Sequence, residues 1–334
     1  MNVLATTWFV LIGLMFTTYA ILDGFDLGVG ILSLFAPKHE RRILRQAIAP
    51  FWDGNEVWLL AGGASLFAAF PPAYAAVFSG FYLPVMGVVF ALILRAVSLE
   101  FSEAVPGRVW RVFWDIGLFI GSIVPPLVFG VAVGNLLKGV PLNTSGFYAG
   151  TLAGLFSHYT VAAGLLAVMM FATQGALWLA LKTGGVLRRK ATGWAFYTSL
   201  VYLVLFIDLT VWSVLISPHI SINFRIHPYL FLVPLSGFAT LAAIPFLAVK
   251  RRAGVGFAAS TLSIVIMMAT FGISVFPNLV FQLGHYGKSL KITNAASSEK
   301  TLFIMLVLAA IGLPLVLIST VYLYRVFRGK VGKD

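Results

Sequence analysis

Nine stretches of this chain run nearly free of charge for about 20 residues, the length an α-helix needs to cross the hydrocarbon core of a bilayer. They fall at 4–35, 54–75, 79–98, 114–137, 157–181, 194–216, 229–249, 257–277 and 301–324. The connections between them are no longer than about 25 residues, too short for a soluble domain. The pattern predicts an all-α polytopic membrane protein, a single integral membrane domain over 1–334. The first stretch is long enough to be tilted, or broken near Asp23–Gly30.

Threading the nine spans through a membrane sorts the basic residues. Of 23 Lys and Arg, 18 fall in connections on one side and in the tail. These are Lys38, Arg41, Arg42 and Arg45; Arg95, Arg108 and Arg111; Lys182, Arg188, Arg189 and Lys190; Lys250, Arg251 and Arg252; and Arg325, Arg328, Lys330 and Lys333 in the tail 325–334. The other side holds Lys138, Arg225, Lys288, Lys291 and Lys300. Cytoplasmic loops carry the basic excess, so the N-terminus is expected outside and the C-terminus in the cytoplasm.

Composition agrees with lipid as the solvent. The 334 residues are 60% hydrophobic and 10% charged, with a mean hydropathy of +0.97, whereas soluble domains carry about 25% charged residues. The net charge of +12 would suggest nucleic acid in a soluble protein, but here the cations gather at span ends and anionic headgroups account for them. No nucleic-acid partner is expected. Cysteine is absent, which removes disulfides, thiolate metal sites, iron–sulfur clusters and cysteine nucleophiles. The first 20 residues lack a basic start and a small-residue cleavage site, so they read as the first span rather than a signal peptide. Glycines at four-residue spacing, Gly24/Gly28, Gly130/Gly134 and Gly150/Gly154, predict close helix packing.

With only 11 acidic residues, their positions are informative. Asp23 and Asp26 lie inside the first span on one helix face. Asp23 is about 18 Å from the inner end of that span at 1.5 Å per residue. Ionisable groups at such depth face protein or water and point to an ion path; a hydrogen-bonded staple between helices is the plainer reading. Asp53 and Glu56, in PFWDGNEVWLL, have capping-box spacing. They also complete a file of carboxylates with Asp23 and Asp26, flanked by Trp52 and Trp58. Asp208 lies within the sixth span, and Asp115 begins the fourth at a dipole-favoured place. Arg95, Glu100 and Glu103 read as surface ion pairing.

The five histidines offer no pair at matched depth for cross-membrane haem ligation. His39 falls in an inner loop, His219, His227 and His285 in outer connections, and His158 begins a span. No metal site, phosphate-cradling glycine loop, zinc signature or serine-nucleophile elbow is present.

Five blocks then become specific: DGFDLGVG from Asp23, IAPFWDGNEVWLLAGGASLFAAFPPAYAAVFSGFYLPV from Ile48, GSIVPPLVFGVAVGNLLKGVP from Gly121, TQGA within Phe171–Leu177, and ASSEKTL over Ala296–Leu302. They resemble subunit II of the cytochrome bd-type quinol oxidases along nearly the whole chain. The resemblance implies two four-helix bundles plus one peripheral helix, roughly 1–137 and 157–324, in a bacterial or archaeal cytoplasmic membrane. It implies a heterodimer with a homologous subunit I that carries two b-type haems and one d-type haem, oxidises quinol near the outer face and reduces O2 to water.

Subunit II is then expected to bind no haem directly. Family members can hold a structural quinone in it and a small single-span accessory subunit beside it. The resemblance also implies a cytoplasmic proton path through Asp53 at the subunit interface, with Asp23 and Asp26 near it, and an oxygen-access channel beside Trp58. Glu56 stands where the family also has glutamine, and its own place in the carboxylate file is what adds it to the expected path. Asp208 matches no family motif. The residues by themselves also admit a cation-coupled secondary transporter, although such folds often carry inverted repeats and none is evident. A self-contained b-type cytochrome lacks its histidines.

Overall fold

The computed structural model describes residues 3–216, 218–283 and 288–332; His285 and Lys333 lie outside the described residues. Twelve α-helices occur among these residues: α1 Val3–Ser33, α2 Lys38–Ile48, α3 Trp52–Ala69, α4 Pro71–Gly80, α5 Tyr82–Phe101, α6 Arg108–Lys138, α7 His158–Lys182, α8 Gly185–Ile216, α9 Ile222–Ile226, α10 Leu232–Val249, α11 Ala253–Val275 and α12 Glu299–Val326. Eight are long and apolar enough to cross a membrane, and α3 with α4 makes a ninth candidate.

The expected second span, 54–75, is broken. Pro71 has no N–H to donate and its ring disfavours a helical Phe70, whose backbone sits at φ −135° and ψ 64°. Proline is acceptable at the first position of a new helix, so α4 restarts at once but bends 119° away from α3. By contrast α1 runs unbroken through Asp23–Gly30, where a break was open from sequence. The fourth span starts earlier than its hydropathy suggested, because Arg108 and Arg111 belong to the first turn of α6.

Helix α7 packs on α8, α6, α1 and α11, while α5 packs on α6, α3 on α1, and α10 on α8 and α11, with α12 on the outside against α1 and α3. Of the membrane-length helices α7 is the most enclosed and α12 the least. Where α1 meets α7, a Cβ on Gly28 would collide with the backbone of Phe171, and one on Gly175 with that of Gly28. Glycine on both helices is what lets the two backbones touch. Gly130 meets Ala163 and Gly164 in the same way across α6 and α7. Gly150 and Gly154 lie instead in the connection after α6, so their spacing serves no helix pair.

Both ends of the bundle are tied by polar contacts. At one end Ser297 donates to the carbonyls of Ala68 and Ala69, Trp8 donates its indole N–H to Leu302 O at 2.9 Å, and short strands Asn278–Val280 and Leu290–Lys291 pair antiparallel. At the other, basic end, Arg41 and Arg45 of α2 grip Asp115 of α6, each at 2.7 Å. Asp115 is therefore a buried tie two turns into α6, not a helix-start acid. Lys190 reaches Glu40 at 2.7 Å, and Lys182 donates to the carbonyls of Phe327 and Gly329, holding the chain that follows α12.

Candidate functional site

Arg95 has no exposure to solvent, although it is a charged side chain on a membrane-length helix. Its depth follows from the helix: α5 continues to Phe101, so Arg95 sits more than a turn inside, on the face carrying Val88, Ala91 and Ser98. Its guanidinium grips both oxygens of Asp23 on α1, from Nη2 at 2.8 Å and from Nη1 at 3.1 Å. Nη2 also donates to Glu56 of α3 at 2.5 Å. The expectation of a surface ion pair at Arg95 is therefore wrong. Of the neighbouring acids, Glu103 does pair at the surface, 3.3 Å from Arg42.

Asp26, one turn beyond Asp23, is equally buried. One of its oxygens accepts from Asn55 Nδ2 at 2.6 Å, while Oδ1 accepts from no group among the described residues. Asn55 is held by its amide and its carbonyl at once, since its Oδ1 accepts from the Tyr324 hydroxyl of α12 at 3.1 Å. Below this line, Tyr324, Phe51, Phe25 and Trp178 pack ring against ring, with the Phe25 and Trp178 centroids 4.1 Å apart. The helices α1, α3, α5 and α12 thus meet on one polar cluster of three carboxylates, one guanidinium, one amide and one phenol, with an aromatic floor.

Asp53 stands apart. It lies in the first turn of α3, exposed, with no ion pair among the described residues. The capping-box reading fails, because the residue before α3 is Phe51, no side chain caps the helix, and Glu56 turns to Arg95 instead. Asp53 shares its face of α3 with the exposed Val57, Leu60 and Phe67. Trp58 is on the other side, buried in the apolar core, its indole N–H without a partner among the described residues. Asp208 on α8 is half-buried, unpaired among the described residues and joins no cluster.

The sequence pattern signalled Asp23, Asp26 and Glu56 but not Arg95, Asn55 or Tyr324. An arginine near the end of a predicted span looks like any positive flank. Only its count against the nearby acids could have drawn attention to it.

The described histidines do not form a haem-ligand pair. His39 is exposed, His158 opens α7 beside the Trp212 ring, and His219 shares a 2.9 Å hydrogen bond with Leu137 O. His227 follows the short helix α9, and among the described residues no group of three His, Asp or Glu side chains has the geometry to hold a metal ion.

The blocks that look distinctive in sequence have packing roles. In TQGA, Thr173 bonds to Thr198 at 3.0 Å, Gln174 to Thr261 at 3.0 Å, and Gly175 seats against Gly28. In ASSEKTL, Ser297 ties to the end of α3 and Ser298 caps α12 by accepting from Thr301 N.

Comparison with known proteins places this arrangement. Residues 4–327 match the family model described as cytochrome bd terminal oxidase subunit II. The chain is 35% identical to cytochrome bd-I ubiquinol oxidase subunit 2 of Escherichia coli strain K12, over 100% of this chain and 96% of that protein. It is 31% identical to cytochrome bd ubiquinol oxidase subunit 2 of Bacillus subtilis strain 168, over 97% and 96%. Its fold matches a chain in the structure of bd oxidase from Geobacillus thermodenitrificans, with a TM-score of 0.78, 19% identity, and coverage of 97% and 98%. None of these relationships supports the transporter reading. The apolar helices and the relatives together make it a multi-pass protein of the bacterial inner membrane. The chain belongs to the cytochrome bd terminal oxidase subunit II family, whose members are subunits of membrane-bound terminal quinol oxidases.

Proposed function

We propose that this chain is the haem-free subunit of a bd-type quinol:O2 oxidoreductase, supporting a haem-bearing subunit I, taking protons up from the cytoplasm and bordering a path for O2. The observation that carries the proton part is the charge count of the buried cluster. Asp23, Asp26 and Glu56 carry three carboxylates against the single guanidinium of Arg95, in an interior that is fully enclosed at Asp23, Asp26 and Arg95. Uncompensated charge in such a place is costly, and a proton is the smallest group that removes it. Asp26 Oδ1, buried and accepting from no group among the described residues, is the open acceptor.

Asp53 supports entry from the basic end. A lone carboxylate on an otherwise apolar, outward stripe of α3 is poorly suited to lipid, and a polar partner surface relieves it. In this reading subunit I covers that stripe, Asp53 collects protons at the joint, and Glu56, one turn further in, passes them toward Asp23 and Asp26. The orientation is N-terminus outside and C-terminus cytoplasmic, supported by the gathering of arginine and lysine at one end. Haems and quinol oxidation belong to subunit I, and no step passes through a histidine of this chain. Chemical protons drawn from the cytoplasm while quinol releases its protons outside would charge the membrane without a pump. Trp58 lines the apolar side of α3, along which O2, small and apolar, would move.

The test is Asp53→Asn in the assembled complex reconstituted in vesicles, with O2 consumption and proton uptake from the basic side both recorded. Both are expected to fall while haem content stays at the wild-type level. Unchanged rates at full occupancy would remove Asp53 from the path.

A further inference from the structure

The basic end contains a second polar site that the carboxylate cluster does not use. Between α2 and the start of α6 lies a cavity of about 260 Å³ lined by Lys38, Arg45, Gly107, Arg108, Arg111, Val112 and Asp115. Four of these are cations and one is an acid. The acid is already committed, since both oxygens of Asp115 are taken by Arg41 and Arg45. Glu103, the other carboxylate nearby, pairs with Arg42 and lies 3.8 Å from Arg45.

Lys38, Arg108 and Arg111 are left exposed, with no ion pair among the described residues. Arg45 is 9% exposed, and its Nε–H is buried without a partner among those residues. Helix α6 opens onto the same space from Gly107 with no side chain capping it, so its positive dipole end faces the cations rather than an anion. A buried donor lacking an acceptor, three exposed cations and an uncapped helix start all call for the same complement.

We propose that this cavity binds a phosphate-type oxyanion at the membrane surface, the phosphodiester of an anionic lipid headgroup or free phosphate. Basic pockets between membrane helices at the headgroup level are suited to anionic lipid, whose negative surface potential already favours them. Arginine supplies paired N–H donors for phosphate oxygens, and Lys38 a mobile point charge. Among the described residues, the ion pairs from α2 to α6 all go to Asp115, those to Glu103 reaching the connection before α6, so an anion bound among Lys38, Arg45 and Arg111 would clamp the two helices together. The site does not depend on the proton path.

The experiment uses the intact complex. It is purified with Lys38→Gln/Arg111→Gln and without, and bound lipids are counted by native mass spectrometry. Thermal unfolding is followed in nanodiscs of phosphatidylcholine alone, of phosphatidylcholine with phosphatidylglycerol, and of phosphatidylcholine with added inorganic phosphate. The wild type is expected to retain phosphatidylglycerol and to unfold at higher temperature in its presence, and the double variant to lose both effects. Stabilisation by inorganic phosphate, absent from the double variant, supports the same site with free phosphate as the ligand. Equal lipid retention and equal unfolding temperatures for the two proteins in every condition would overturn the proposal. Lys38 and Arg111 are exposed and unpaired among the described residues, so the variant is expected to fold, and haem content reports whether it has.

Discussion

Asp53 and Glu56 are one turn apart on α3 and meet opposite surroundings: Asp53 is exposed and unpaired among the described residues, while Glu56 reaches inward to within 2.5 Å of Arg95. The same short motif therefore holds a group free to meet a partner and a group committed to the interior. Substitutions at the two positions should separate accordingly. Asp53→Asn touches no partner within the described chain, so unfolding should change by less than about 0.5 kcal/mol, while O2 consumption falls. Glu56→Gln keeps a polar contact to Arg95 but removes a charge, and should alter both. Circular dichroism melts and oxygen-electrode rates on the same preparations decide this; equal behaviour of the two variants contradicts it.

Arg95 is the one cation of the cluster among the described residues, and removing it leaves Asp23 and Glu56 without a counter-charge. Breaking a buried pair on one side costs about 3–5 kcal/mol, much of the stability a fold has to spare. Arg95→Met should therefore leave little assembled complex, measured as haem per milligram of membrane protein. Removing the orphaned charges as well, in Arg95→Met with Asp23→Asn and Glu56→Gln, should recover part of it. Arg95→Lys should rescue incompletely, because an ammonium cannot reproduce the fork that grips both oxygens of Asp23.

Tyr324 and Asn55 offer a different approach to Asp26, from the α12 side. Tyr324→Phe keeps the ring packed against Phe51, with centroids 4.7 Å apart, and deletes only the hydroxyl. The stability loss should be about 0.5–1.5 kcal/mol, that of one hydrogen bond. If protons enter at Asp53, O2 consumption by this variant stays at the wild-type level. A loss as deep as that of Asp53→Asn would move the entry to α12. Asn55→Leu, which strips Asp26 of its donor, should cost more, about 1–3 kcal/mol.

Gly28 and Gly175 set the distance between α1 and α7, and α1 carries both buried aspartates. Gly175→Ala has no room on the Gly28 side, and overpacking of this kind costs about 1–3 kcal/mol. The variant should show a lower thermal midpoint and a weaker complex. Gly63→Ala, at an open position on α3, serves as the comparison and should be silent.

Hydropathy and the scarcity of charge determined the solvent, the existence of eight membrane-length helices and the end at which basic residues gather, because each depends on a local count that the bilayer reads segment by segment. The same scarcity makes Asp23, Asp26 and Glu56 stand out along the linear chain. Partnership was another matter. Whether Arg95 flanked a membrane or held three helices together depended on where α5 ended and how it turned, and its partner Asp23 lies 72 residues away in the chain. Asp115 likewise read as a helix-start acid until α2 folded back and brought Arg41 and Arg45 to it. The break after α3 was written in Pro71 and Pro72, but hydropathy averages over such a step. Only tertiary packing decided which acids share a counter-charge and which one is left facing outward, because burial and pairing are properties of the assembled helices and not of any one of them.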